Sequence, residues 1–266
     1  FIGFEDLKYF NLYKQFLKNE YKDYKISLSL TKFNNLYNEL LNDDYFKFSI
    51  DSVLLAEFVS VKKNKKSLLD ICSGNVPIPM ILHKKFGNKI DITAVEIQKE
   101  IYDLGVDSLK YNKIDSIRYF NEDIKNYKNF LKSNKYDIIT CNPPYYKVYD
   151  EKCINDNSIK SIARHEIKLD LESLFQIAKS LIENMGTFYM VHRAERLADI
   201  IVLANKYKFG IKQVQPVYNS KDSACCFILI EMVSNGKDYV RINKPIFLKE
   251  YVSYQGIFEG WFYDKI

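Results

Sequence analysis

From Ser67 onward, short apolar runs alternate with stretches of helical periodicity, and no other feature limits the fold as strongly. Such alternation is the pattern of strand–helix–strand units that build a parallel sheet. Five runs read as strands: "SLLDI" (67–71), "KIDITAVE" (89–96), "SIRYFNED" (116–123), "KYDIITC" (135–141) and "TFYMVH" (187–192). Helices are predicted over 77–87, with proline near the start and Gly87 at the end, and over 99–112. Two more follow, one near Leu171–Leu181 that ends at Gly186 and one from about Glu195 to Tyr207. The last apolar runs, "IKQVQPVY" and "ACCFILIEMV", are expected to pair antiparallel at one edge. The fold class is therefore α/β, a mostly parallel sheet with an antiparallel edge strand.

A chain of 266 residues, 47% of them hydrophobic, suffices for one large domain with appendages. The reading divides it into a helical N-terminal extension (1–44), a main domain (45–236) and a tail packed on that domain (237–266). Residues 4–24 place apolar side chains at helical spacing among many lysines, which suits helices lying on a domain surface. No apolar run approaches the roughly 20 residues that span a bilayer, so no membrane partner is expected. The chain opens at Phe1 with no cleavable signal pattern. Five unevenly spaced cysteines argue against a disulfide framework and for a reducing compartment, the cytoplasm. Three histidines and dispersed cysteines give no metal-ligand spacing, so no metal is expected, and His83 reads as structural. A monomer is expected. The net charge of +5, nearly all lysine, suits an anionic partner. Beside abundant Asn, Ile and Tyr it equally reflects the coding bias of an AT-rich genome, so charge alone names no partner.

In an open parallel sheet, ligands bind beyond the carboxyl ends of the strands. The first strand ends in "DICSGN" (70–75), a small-residue loop that lets backbone approach a ligand closely. The second ends at Glu96, an acid suited to accept hydrogen bonds from two ribose hydroxyls, and the third at Asp123. The fourth runs into Asn142-Pro143-Pro144-Tyr145. Two consecutive prolines cannot continue a sheet ladder, and each forces the residue before it into an extended conformation. They hold an amide and an aromatic ring in fixed directions. That arrangement suits a planar exocyclic amine. The Asn142 side-chain carbonyl and the Pro143 backbone carbonyl can accept its two hydrogens, which turns the nitrogen lone pair out of the ring plane. The Tyr145 face can stack on the base.

On these residues the chain resembles the class I S-adenosylmethionine-dependent methyltransferases, which have a Rossmann-like fold. Within them it is similar to the bacterial enzymes that methylate the exocyclic amine of the adenine 3′ of the anticodon in valine tRNA. The resemblance spans about residues 45–235 and rests on "FKFSIDSVLL" (46–55), "DICSGN", "AVEIQKE" (94–100) and "NED" (121–123). It continues through "CNPPYYK" (141–147), "ARHE" (163–166) and "VHRAERLADI" (191–200). It implies S-adenosyl-L-methionine as cofactor and a tRNA anticodon loop as partner. Asp70, Cys72 and Gly74 would surround the methionine part of the cofactor, Glu96 its ribose, and Asp123 with Ile124 its adenine. Phe48 and Asp51 would lie against it from the N-terminal side. Asn142 would reach both substrate and cofactor, with Pro143 and Tyr145 completing the clamp. Arg164, His165, His192 and Arg193 would face the RNA.

The alternatives are a DNA adenine or protein glutamine methyltransferase, or a catalytically silent RNA-binding protein. Only Val76 favours the silent protein. The family has a glycine there, and valine is expected to avoid positive φ and to crowd the cofactor's carboxyl end.

Overall fold

A computed structural model of the chain describes residues 50–62, 66–131, 135–144, 169–237 and 239–248. The expected N-terminal extension lies outside these residues, as do Phe48, Tyr145, Arg164 and His165.

The first element is α1 (Ile50–Phe58), which precedes the sheet. Then β1 (Ser67–Ile71), α2 (Pro77–Phe86), β2 (Asp91–Glu96), α3 (Lys99–Tyr111) and β3 (Arg118–Asn121) follow the expected alternation. The chain continues through the one-turn α4 (Tyr127–Phe130), β4 (Tyr136–Cys141), α5 (Leu171–Leu181), β5 (Ile182–Arg193) and α6 (Leu197–Lys206). It closes with β6 (Phe209–Tyr218), β7 (Cys225–Ser234) and the two-residue strands β8 (Arg241–Ile242) and β9 (Ile246–Phe247).

The sheet order is β3-β2-β1-β4-β5-β7-β6-β8, with β9 also on β6. Neighbours run parallel except around β7, which is antiparallel to both β5 and β6. The antiparallel strand thus sits at the expected end of the sheet, one place in from β6. The order reverses between β1 and β4, so a crevice opens past their carboxyl ends.

Strand side chains alternate between two apolar layers, as a period of two requires. Leu68, Ile138, Tyr189 and Val191 join α1 and α2 on one face. Leu69, Ile71, Ile139, Cys141, Phe188 and Met190 pack against α5 and α6 on the other. By the same alternation Asp70, Thr140 and Asn142 belong to the face that α1 covers. The C-terminal end of α1 is fastened at two points. Lys85 Nζ donates to the Glu57 and Val59 carbonyls, both at 3.1 Å, filling acceptors that a helix end leaves open. Tyr189 Oη donates to the Ser60 carbonyl at 3.1 Å and accepts from the Ser60 N–H at 3.3 Å. The Phe58 ring meets Tyr189 edge-on at 5.9 Å.

The fifth strand departs from expectation. The helix stops at Leu181 rather than Gly186, and the next residue, Ile182, already pairs with Tyr136. Pairing resumes only at Ile138–Thr187, so residues 183–186 bulge out opposite Asp137. A Cβ on Gly186 would lie 2.6 Å from Ile182 Cγ1 and 2.9 Å from the Glu183 carbonyl oxygen. Close backbone return, not helix termination, is what the glycine serves. Gly186→Ala should lower stability by about 1–3 kcal/mol, the usual cost of overpacking. A urea unfolding curve with an unshifted midpoint would contradict that assignment.

Candidate active site

The chain leaves β1 through a loop in which alternate residues, Cys72, Gly74 and Val76, have positive φ of 57°, 56° and 63°. Only the glycine adopts this region without a Cβ clash. The loop is held by backbone donors. The Ser73 N–H donates to the Val95 carbonyl at 3.0 Å, and the Val76 N–H to the Ser73 carbonyl at 3.0 Å. Glu96, at the end of β2 and 4% exposed, accepts from the Gly74 N–H at 2.9 Å and from the Gln98 N–H at 2.8 Å. One carboxylate therefore ties the loop to the start of α3. Burial raises its pKa, opposed by these same backbone donors.

From β3, the Tyr119 hydroxyl donates to the Gly74 carbonyl. Space for that ring comes from Gly105 on α3, where a Cβ would stand 2.7 Å from Tyr119 Cε1. Tyr102 packs on the same ring at 4.5 Å between centroids.

Val76 contradicts the expectation that it avoids positive φ. Its φ is positive, and its side chain is fully buried in the apolar layer with Leu54, Leu55, Ile78 and Leu82. It fastens the loop to α1 and α2, and Pro77 starts α2 directly after it. Hydrophobic burial outweighs a backbone strain of about 1–2 kcal/mol.

Asp70 is fully buried at the end of β1. Its two oxygens accept from the Ser73 hydroxyl and from the Thr140 hydroxyl of β4. Burial pushes its carboxyl up to about 7, against those two hydrogen bonds and with some help from nearby Glu96. Across the crevice, β4 ends at Cys141, and Asn142 follows with buried Pro143 after it. The Asn142 amide reaches α1, where Nδ2 donates to Ser52 Oγ at 2.9 Å. Beside it, Asp51 is buried and its Oδ1 accepts from the Ser52 N–H at 2.9 Å. Cys72 lies in the loop at the same end of the sheet, where burial and the neighbouring Cys72 thiol push the Cys141 thiol up.

Asp123 follows β3 and caps a short turn, accepting from the Lys125 N–H at 2.9 Å, with Ile124 buried behind it. The Glu122 N–H donates to the Glu96 carbonyl, which brings this corner to the end of β2. The structure thus gathers Asp51, Asp70, Cys72, Gly74, Glu96, Asp123, Ile124, Asn142 and Pro143 at the carboxyl ends of β1–β4. His192 fits its expected place less well. It is 2% exposed, and its Nδ1 accepts from the Arg193 N–H at 2.9 Å. Burial, and then the Arg196 guanidinium, push its imidazole down to about 3, so it is neutral packing rather than a cation facing RNA. Arg193 is half-buried at the strand end, 3.7 Å from Glu195. Sequence reasoning missed Ser52, Ser73, Tyr119 and Thr140. Ser52 and Ser73 lay inside quoted motifs, and Thr140 stands two residues before Asn142 and so on the same face.

A family model described as the methyltransferase small domain matches residues 46–205. The chain belongs to this family. It is a methyltransferase that uses S-adenosylmethionine. It is 23% identical over 69% of its length to the tRNA1(Val) (adenine(37)-N6)-methyltransferase of Cytophaga hutchinsonii, covering 75% of that protein. The enzyme of the same name from Flavobacterium psychrophilum is 22% identical, over 78% of this chain and 89% of its own length. A solved structure of a predicted O-methyltransferase from Agrobacterium tumefaciens aligns with a TM-score of 0.58 at 14% identity, covering 74% of this chain and 87% of its own, which supports the fold alone. The residues present fit the cofactor. Asn75 Oδ1, next to Gly74, is buried without a hydrogen-bond partner among the described residues. A buried orphan acceptor is costly unless a ligand supplies the donor. S-adenosylmethionine has an ammonium group and ribose hydroxyls to donate. Among the described residues no cluster suited to a metal ion occurs, and no helix is long and apolar enough to cross a membrane.

Val76→Gly should leave cofactor affinity within about twofold while lowering stability by about 1–2 kcal/mol. Relief of strain does not compensate for the lost burial and the added chain entropy. Paired titration and urea unfolding test this, and a variant that binds several-fold tighter would restore the crowding argument.

Proposed function

We propose that the protein transfers a methyl group from S-adenosylmethionine to the exocyclic amine of an adenine in RNA, specifically the adenine 3′ of the anticodon in a valine tRNA. The observation that carries this reading is Asn142, an amide fixed at the end of β4 by a hydrogen bond to α1 and by the proline behind it. The names of the relatives point to the same base, adenine 37 of a valine tRNA. An anticodon loop already exposes its bases, so little unstacking is needed to bring one to the clamp.

When bound, S-adenosylmethionine supplies an electrophilic methyl on a good leaving group. The Asn142 side-chain carbonyl and the Pro143 carbonyl accept the two amine hydrogens, and the nitrogen lone pair turns out of the ring plane. With such a leaving group no strong general base is needed, because the proton can depart after transfer. Tyr145 stacks on the base. Gly74 and Cys72 bring backbone close to the methionine part, braced from below by Asp70, and Glu96 holds the ribose. Each Glu96 oxygen accepts one backbone N–H and keeps a further lone pair for a ribose hydroxyl. Asp123 and Ile124 border the adenine of the cofactor, and Asp51 flanks it from α1. Arg193, with Arg164 and His165, meets RNA phosphates. The protein acts as a monomer in the cytoplasm. Packing of the Val76 side chain against α1 and α2 weakens the argument for a silent RNA-binding protein.

Mass spectrometry of tRNA nucleosides from cells with and without the protein should show N6-methyladenosine lost from one valine tRNA. An unchanged profile would overturn the substrate. Asn142→Ala should abolish methyl transfer while keeping the fold and most RNA affinity, which comes mainly from cations meeting phosphates. Binding and turnover assays on that variant provide the check, and wild-type turnover would refute the clamp.

A second expectation concerns pH. The cofactor is cationic, so it favours the ionised form of Asp70, whose pKa stands at about 7. Binding should therefore tighten about tenfold as pH rises from 5.5 to 7. Calorimetry should register proton release over this range. Asp70→Asn should flatten the dependence, and an equally steep slope in that variant would show that another group is responsible.

A further inference from the structure

We infer that Ser52 is a positioning residue that anchors the Asn142 amide by its NH2 end, with the oxygen end left for the substrate amine. The inference rests on the proposed function. A carboxamide has two ends of almost equal size and opposite hydrogen-bonding character, one a double donor and the other an acceptor. An amine substrate presents hydrogens, so only the oxygen end can bind it. With the amide turned over, the NH2 group would meet another donor and the clamp would fail. Shape alone cannot make this choice. A partner that accepts from the NH2 end holds the productive orientation.

Ser52 is that partner. Its hydroxyl oxygen accepts from Asn142 Nδ2 at 2.9 Å, across 90 residues of sequence, and the residue is 4% exposed. With Nδ2 committed to α1, Oδ1 is directed to the opposite side of the amide. The hydroxyl cannot drift, because it sits in the first turn of a helix held at its far end. There Lys85 donates to two carbonyls and Tyr189 bonds Ser60 in both directions. Buried Asp51 fixes the start of the same turn through the Ser52 N–H. Thus the helix before the sheet, which contributes nothing to the strand ladder, governs the group at the end of β4. Ser52 does not touch the reacting atoms and acts only through Asn142.

The experiment is steady-state kinetics on a tRNA substrate with Ser52→Ala, Ser52→Thr and Asn142→Ala, alongside titration with S-adenosylmethionine and thermal unfolding. Ser52→Ala should lower kcat about five- to tenfold, with KM for tRNA, cofactor affinity and Tm close to wild type. Ser52→Thr, which keeps a hydroxyl on the same carbon, should recover at least part of the loss. A Ser52→Ala enzyme with wild-type kcat would overturn the inference. So would a variant whose cofactor affinity and Tm fall in step with kcat, because that marks a purely structural residue. Full activity in Asn142→Ala would instead refute the proposed function itself, so the two failures are told apart.

Discussion

The carboxyl group of Asp70 lies where the two central strands diverge, and the site is built around it. Its oxygens take one hydroxyl from the adjacent strand β4 and one from the loop that leaves β1. Both sides of the crevice are thereby tied to a single buried group. An isolated ionised carboxylate in such a place is strongly disfavoured, and this group answers by holding its proton to near neutrality. The site consequently carries latent negative charge that a cationic ligand can call up. Glu96 repeats the device one strand over, using backbone donors in place of hydroxyls.

Around this centre the loop follows a path that needs three left-handed residues but contains one glycine. The strain at Val76 is held by burial, and its side chain makes the loop part of the same apolar layer as α1. Because α1 also touches Asn142 through Ser52, the cofactor side and the substrate side of the crevice share one support.

The central strands were legible because they are buried on both faces and bounded by small or polar residues. β1 matches its expected span, and β4 differs by one residue. β3 was read too long at both ends, since the charges of Glu122 and Asp123 belong to the loop. The start of β5 was hidden because "IENM" has no strand pattern of its own, and only pairing of Ile182 with Tyr136 makes it one. The acids and Asn142 could be placed from the rule that sites gather at strand ends. Ser52 lay inside the quoted "FKFSIDSVLL", but its contact with Asn142, 90 residues away, has no local mark. Val76 misled for a different reason. Backbone preference was weighed without the core that overrides it. His192 misled because its place at a strand end suggested access to RNA, whereas both faces of β5 are covered there.

The placement of β7 bears on how the molecule is made. β6 is synthesised before β7 yet lies outside it, and among the described residues its only long pairing partner is β7. It therefore cannot take its final place until β7 has been made. The cofactor half, by contrast, is assembled from consecutive units between Ser67 and Ile124. During translation the nascent chain thus acquires its acids and its loop early, while the exposed edge of β5 waits for β7 to cover it. Over that interval the growing polypeptide holds a nearly complete nucleotide pocket beside an unprotected strand.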